Sequence, residues 1–394
     1  MKYFKIAIKW TLLTILLVPV GLYLALLVIN LKDSPASEQA KAYLLEIQES
    51  DKALANNQTQ NAYLYALGFD AKSGTSPVDE GISRLQTIQQ IGMLEHAPTL
   101  NTARIEKPQT PFNECINRDD FLSSCLPVLT EQTYFNELLA THAELITRYK
   151  TLIQLTTWQE GSQFNVFLSS PSLSHLLTAQ KLYFIDLLAQ AQTMPPQQIA
   201  EAINQDMFFW QRVAANTHAL LIKNASKSGI STNMKFGELI LGQLSHSQLS
   251  NVIPISWQTP IPAEVTAFEK TKVGEWYFLN RMTKAMQTTD NTDITATVTQ
   301  WLLMPLMQHQ DTVNRYAAIL DGTTPLHTCP NPWFMAEVSQ FMYNPLGKFA
   351  LCSGITSLAP YQQHFDELEP QRAQLITRLQ LKNIASHSTS VAPL

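Results

Sequence analysis

Four cysteines, nine histidines and 32 acidic residues are the groups in this 394-residue chain able to bind metal, exchange electrons or move protons, and their spacing limits what they do. Cys115, Cys125, Cys329 and Cys352 form no C-x-x-C, so a thioredoxin-like couple or a zinc knuckle lacks its usual spacing. Four cysteines permit three pairings. Local pairing, Cys115 with Cys125 and Cys329 with Cys352, closes two loops with nine and 22 residues between the partners. Each bridge is worth about 3 kcal/mol in the chain-entropy view. The alternatives are free buried thiols or a metal shared by Cys329 and His327, two residues away.

The histidines are scattered, with no pair at i,i+4 and no H-E-x-x-H. His142 lies on an apolar stripe and reads as packed in place. Asp119-Asp120 and Asp366-Glu367-Glu369 are acid clusters of the kind that serves glycoside hydrolysis when folding sets the carboxylates at the right separation. The plainer reading is charge at helix N-termini and on solvated faces. No two glycines have the spacing of a dinucleotide fingerprint or of a G-x-S-x-G elbow. Gly237 and Gly242 have phosphate-loop spacing, but Gln243-Leu244 follow where Lys-Ser/Thr is needed, so both read as helix-packing positions. No lysine follows a serine by three residues; Thr147/Lys150, Thr178/Lys181 and Thr232/Lys235 have that spacing and look like exposed helix neighbours. Two aromatic patches, Phe208-Phe209-Trp210 and Trp333, Phe334, Phe341, Tyr343, read as core, with a binding groove as the alternative. No cofactor is expected.

The elements that would position these groups begin with residues 10–31, which hold no charge and are rich in leucine. As a helix they extend roughly 33 Å, matching a bilayer core of about 30 Å. This is expected to be a transmembrane helix, with residues 1–9 cytoplasmic and 32–394 periplasmic. Lys2, Lys5 and Lys9 precede it, while Lys32 and Lys41 follow, a modest bias toward a cytoplasmic N-terminus. A cleaved signal peptide is the alternative, with Ser34-Pro35-Ala36 offering small residues, although its apolar region would run to only about 7–15 residues. The 362 residues after Lys32 carry a net charge of −9, which argues against nucleic acid and anionic headgroups as partners held by bulk charge.

Beyond residue 31 the fold class is all-α. Apolar residues recur at steps of three and four in three stripes. The first is Leu138, His142, Leu145, Tyr149 and Leu152. The second is Ile199, Ile203, Met207, Trp210, Ala214, Thr217 and Leu221. The third is Phe365, Leu368, Arg372, Leu375 and Leu379, broken once by arginine. Ser34-Pro35, Ser76-Pro77, Ser170-Pro171, Asn331-Pro332 and Asn344-Pro345 each place a capping side chain before a proline at the first helical position. Weak strand patterns occur only at Phe164–Leu168 and Val252–Ile255. Irregular stretches at 95–127 and 322–332 each contain cysteine; helical patterning resumes on both sides, so one continuous helical domain is expected.

Three islands carry a resemblance: Asn61–Phe69, Tyr343–Lys348 with Tyr361, Asp366 and Leu375 downstream, and the Cys115/Cys125 pair. Together they resemble an uncharacterised family of membrane-anchored helical proteins of Gram-negative bacteria. The resemblance implies an inner-membrane anchor and a periplasmic domain, and brings no catalytic residue. The expected role is an interaction or envelope-associated module held at the inner membrane by its N-terminal helix, with an envelope protein as partner. The alternative is a periplasmic hydrolase acting on peptidoglycan or another envelope polymer.

Overall fold

The computed structural model describes residues 2–91, 93, 104–107, 132–162, 170–244, 248, 252–288, 294–325, 329, 339–355 and 357–389. The fold is all-α. Among the described residues there are no strands, only isolated bridges at Asn61–Thr157 and Ala71–Arg104. Val252–Ile255 is not a strand: Pro254, which has no N–H to give a ladder, instead precedes a short helix, Ile255–Gln258. Cys115, Cys125, Asp119-Asp120, His327, Asn331-Pro332, Trp333, Phe334 and Phe164–Leu168 lie outside the described residues.

The chain forms two compact units, one of residues 1–46 with 276–358, the other of residues 47–275 with 359–394. In the first, α1 (Lys2–Ile29) runs unbroken through Pro19 and Gly21. Its Ile8–Ile29 stretch, of mean hydropathy 2.8 and with none of it buried, is long and apolar enough to cross a membrane. The chain turns at Asn30 into α2 (Glu38–Asn56), and the unit also holds the end of α12 (Glu269–Thr288), α13 (Ile294–Leu303), a 3₁₀ turn Met304–Leu306, α14 (His309–Leu320) and α15 (Pro345–Gly354). Cys329 and Cys352 are joined, with Cα atoms 5.0 Å apart.

In this unit Asn344 caps α15 as its sequence implies, its Oδ1 accepting from the Gly347 N–H at 3.1 Å. The same side chain donates to Asp311 at 2.8 Å and Thr312 at 2.9 Å, and these bonds hold it at φ 52°, a left-handed conformation that asparagine tolerates. Ser34-Pro35 does not start α2. Asp33 accepts from the N–H groups of Gln310 (2.6 Å) and Asp311 (3.0 Å) at the start of α14, and Asn314 bridges the Ser37 N–H and the Pro35 carbonyl. The segment is committed to α14, so α2 begins three residues later, capped by Ser37.

The second unit contains α3 (Ala62–Leu67), α4 (Pro77–Gln90), α5 (Gln132–Thr141), α6 (Ala143–Gln154), α7 (Leu173–Gln190), α8 (Pro196–Asn216), α9 (Leu220–Leu241), α10 (Ile255–Gln258), α11 (Ala263–Thr266), α16 (Ala359–Asp366) and α17 (Leu368–Thr389). All six residues of α3 are buried. Helices α3 and α4 touch through glycine: a Cβ on Gly81 would lie 1.9 Å from the Leu64 carbonyl oxygen, and one on Gly68 would lie 2.1 Å from that of Pro77. Gly68 has φ −97°, so it ends α3 by permitting this approach rather than by a left-handed turn.

Ser76 caps α4, whereas α7 starts two residues beyond Pro171, with Ser172 bonded to His175 Nδ1 at 2.6 Å. The second apolar stripe is buried from Ile199 to Thr217, but Leu221 is 62% exposed, because the chain turns at 217–219 and α9 starts on a new face. The third stripe is buried throughout except at Arg372, which pairs with Glu369 and donates to the Trp257 carbonyl at 2.5 Å. The polar break is thus the tie between α17 and α10. The first stripe bends at His142, the residue between α5 and α6, which is half-exposed.

Candidate functional site

Asp206 and Lys223 are the buried ionisable groups whose surroundings are most fully defined. Asp206 lies on α8 at the register of Ile199, Ile203 and Trp210, and is completely buried. Its Oδ1 accepts from the Tyr149 hydroxyl, and its Oδ2 from Gln180 and Asn233, each at 2.9 Å. Tyr149 accepts from the Trp210 indole at 2.9 Å, and Asn233 from the Trp257 indole at 2.9 Å. Burial raises the Asp206 carboxyl to about 6, against the opposing pull of its three hydrogen-bond donors. Burial and the nearby Asp206 likewise raise Tyr149 well above its ordinary value.

Lys223 on α9 sits in a cage of carbonyls. Its Nζ donates to Ala214 (2.7 Å), Val265 (2.8 Å) and Ala267 (2.6 Å), and lies 5.2 and 4.9 Å from the ring centres of Phe268 and Phe365. Burial lowers its pKa to about 8. Glu160 accepts from Trp158 (2.7 Å), Thr217 (2.5 Å) and the His218 N–H (2.8 Å). Arg148 donates to the carbonyls of Phe69, Ala71, Lys72 and Thr75, fixing the loop between α3 and α4. These groups are spent on tying helices together. Asp206 stands as a polar position on an apolar stripe and is legible in that sense, but its partners come from distant helices.

The groups open to a ligand lie elsewhere in the same unit. Helices α6, α7 and α8 frame a groove of about 300 Å³. Ile153, Leu187 and Tyr183 are buried and form its floor. Tyr183 is fixed by donating to the Ala202 carbonyl at 3.1 Å, and burial raises its pKa. At one wall Lys150 contacts Asp186 at 2.7 Å, and the other Asp186 oxygen accepts from Gln190 at 2.7 Å. Along the other wall Glu201 accepts from Gln205 at 3.2 Å. Gln154, Gln190, Gln198 and Gln205 all line the groove. A smaller hollow of about 130 Å³ between α9 and α17 is closed at one side by Arg378, which grips Glu238 through bonds of 2.8 and 2.7 Å.

The residues nominated by sequence do not meet in either place. Glu369 is bound to Arg372 and accepts from the Ile261 N–H, Glu367 lies 3.7 Å from Lys227, and Asp366 faces solvent. Phe209 and Trp210 are core, while Phe208 is 43% exposed. Gly237 is a packing position against Trp257, and Gly242 ends α9. Of the three threonine–lysine pairs, Thr178 and Thr232 are buried rather than exposed. The groove's glutamines are surface amides without a spacing signal; only the packing of three helix faces gathers them. Searches against protein-family models, curated proteins and solved structures return no match.

Proposed function

We propose that this protein is a single-pass, membrane-anchored helical module facing the periplasm, which acts by binding an extended segment of an envelope protein in the α6–α8 groove. The observation that carries the binding role is the groove's lining. Four glutamine amides both donate and accept, as a peptide backbone does, over an apolar floor that receives side chains, and the Lys150–Asp186 pair marks one edge. The anchor reading is supported by the apolar Ile8–Ile29 stretch, and the outward orientation by the lysines before it and by the Cys329–Cys352 bridge, a bond typical of oxidising compartments. Tethering at the membrane raises the effective concentration for partners held there.

A photo-crosslinking residue at Gln198, within the groove, is expected to give a discrete adduct in intact cells. The same probe at Ser228, exposed on α9, is expected to give none. Equal adducts at both positions, or none at Gln198, would count against the groove as the contact surface. The hydrolase reading is favoured by one feature, the presence of Asp186 and Glu201 in a single groove. Release of soluble fragments from purified peptidoglycan, abolished by both Asp186→Asn and Glu201→Gln, would establish it in place of binding.

A further inference from the structure

Helix α13 turns an apolar face outward. Val298 is 50% exposed and Trp301 74%, with Leu302 and Leu303 at 37% and 39%. Positions 298, 301 and 302 form one stripe of that helix. Residues 294–310 contain no Asp, Glu, Lys or Arg. In water such a surface is unfavourable, and apolar side chains grouped in this way mark a contact.

Two hydrogen bonds fix where this face lies along α1. The Tyr23 hydroxyl donates to the Leu302 carbonyl at 2.8 Å, and Gln308 Nε2 donates to the Asn30 carbonyl at 2.6 Å. Residues 302–308 therefore run beside the last two turns of α1, from the level of Tyr23 to the level of Asn30. The 3₁₀ turn packs against α1, and Tyr23, Leu26 and Leu27 form the half-buried side of that helix. Tyr23 precedes Ile29 by six residues, or about 9 Å of helix.

A polar collar closes the apolar zone. Asn30 bonds the Met342 carbonyl at 2.8 Å and the Asn344 N–H at 2.6 Å, and Asp33 caps α14 just beyond. Leu302 is in the last turn of α13, where carbonyls lack helical partners, and Tyr23 satisfies its carbonyl without water. That is the arrangement hydrocarbon demands.

We propose that the Val298–Leu303 face of α13 is embedded among the acyl chains of the leaflet that holds the last turns of α1, as a second, non-spanning membrane contact. The inference rests on the reading of α1 as a membrane span. Ten residues give about 15 Å of helix, too short to cross a core of about 30 Å, so α13 enters without spanning. Trp301, next to Leu302 and so close to the level of Tyr23, is the most exposed side chain of this face. The contact fixes the first unit against the bilayer surface instead of leaving it to swing on a single helix.

The test uses the full chain in phosphatidylcholine vesicles, with and without lipids brominated in the upper part of their acyl chains. Subtracting the fluorescence of W301F from wild type isolates Trp301, and W10F isolates Trp10 in α1. Both components are expected to be quenched about twofold by bromolipid and shielded from aqueous iodide, as for side chains inside a leaflet. Trp10 quenched by bromine with Trp301 quenched by iodide would overturn the α13 contact while leaving the anchor in place. Shielding of Trp301 from both quenchers would overturn it as well, showing protein over the face. Trp10 indifferent to bromolipid would remove the anchor and the inference with it. Trp301 makes little of the core, so W301F is expected to keep the wild-type circular dichroism melt.

Discussion

Asp206→Ala is expected to destabilise the second unit by about 4 kcal/mol, since it strands the Tyr149 hydroxyl and one N–H each of Gln180 and Asn233 in a buried site. Urea denaturation of the solubilised full chain, followed by fluorescence from buried Trp158, Trp210 and Trp257, measures it. Asp206→Asn keeps the shape and an accepting oxygen, and is expected to cost less than half as much. The carboxyl also sets a pH dependence. Its folded value of about 6 lies above the ordinary 3.8, so between those values the folded chain holds a proton that the unfolded chain has released. The contribution is fully present below about pH 4, is lost as pH rises toward 6, and amounts to something on the order of 3 kcal/mol. Asp206→Asn should flatten that part of the stability profile. A wild-type slope in this window equal to that of Asp206→Asn would show that the carboxyl is not the titrating group.

Lys223→Met is the second large effect, expected at about 3 kcal/mol because two buried carbonyls and one half-buried carbonyl lose their donor. The methionine fills a similar volume and relieves the cost of burying a charge, which keeps the loss below that of Asp206→Ala. The ammonium sits where the carbonyl ends of α8 and α11 converge, so it satisfies unpaired groups and the negative ends of two helix dipoles together. The loss should be local. Hydrogen exchange is expected to rise first in residues 214–219 and 263–268, ahead of α6 and α7. Uniform acceleration across the unit, or no change, would contradict the role assigned to the cage.

How far these features can be read from sequence depends on whether the determinant is local. The apolar α1 is legible because length and hydrophobicity are local properties of a single segment. The stripes on α6, α8 and α17 are legible because one buried face imposes a period near 3.6. The caps at Ser76 and Asn344 form as their dipeptides imply, but Ser34-Pro35 does not. There a distant helix, α14, competes for Asp33 and Pro35 and delays the start of α2. Gly68 shows a subtler ambiguity, for a left-handed turn and a close helix approach both demand glycine, and only the packing against α4 separates them. Asp206 is visible as a polar residue at an apolar register, whereas Lys223, with Ser226 and Lys227 three and four residues on, is not. What they hold together is not visible, because the Asp206 network draws Tyr149, Gln180 and Asn233 from three other helices. The groove is the least legible feature, since its glutamines acquire meaning only once α6, α7 and α8 lie side by side. Of the two local pairings expected for the cysteines, Cys329–Cys352 forms.

The envelope partner proposed for the groove depends on which side of a bilayer the chain beyond α1 occupies, and the α13 contact depends on α1 being held in one. Paired fusions after Leu394 in a Gram-negative host test this directly, one reporter active only in the periplasm and the other only in the cytoplasm. The periplasmic reporter is expected to be active, the cytoplasmic one silent, and both products to remain with the membrane after alkaline carbonate washing. A lit cytoplasmic reporter, or a product washed free of the membrane, would contradict a module held outside the cytosol by its N-terminal helix.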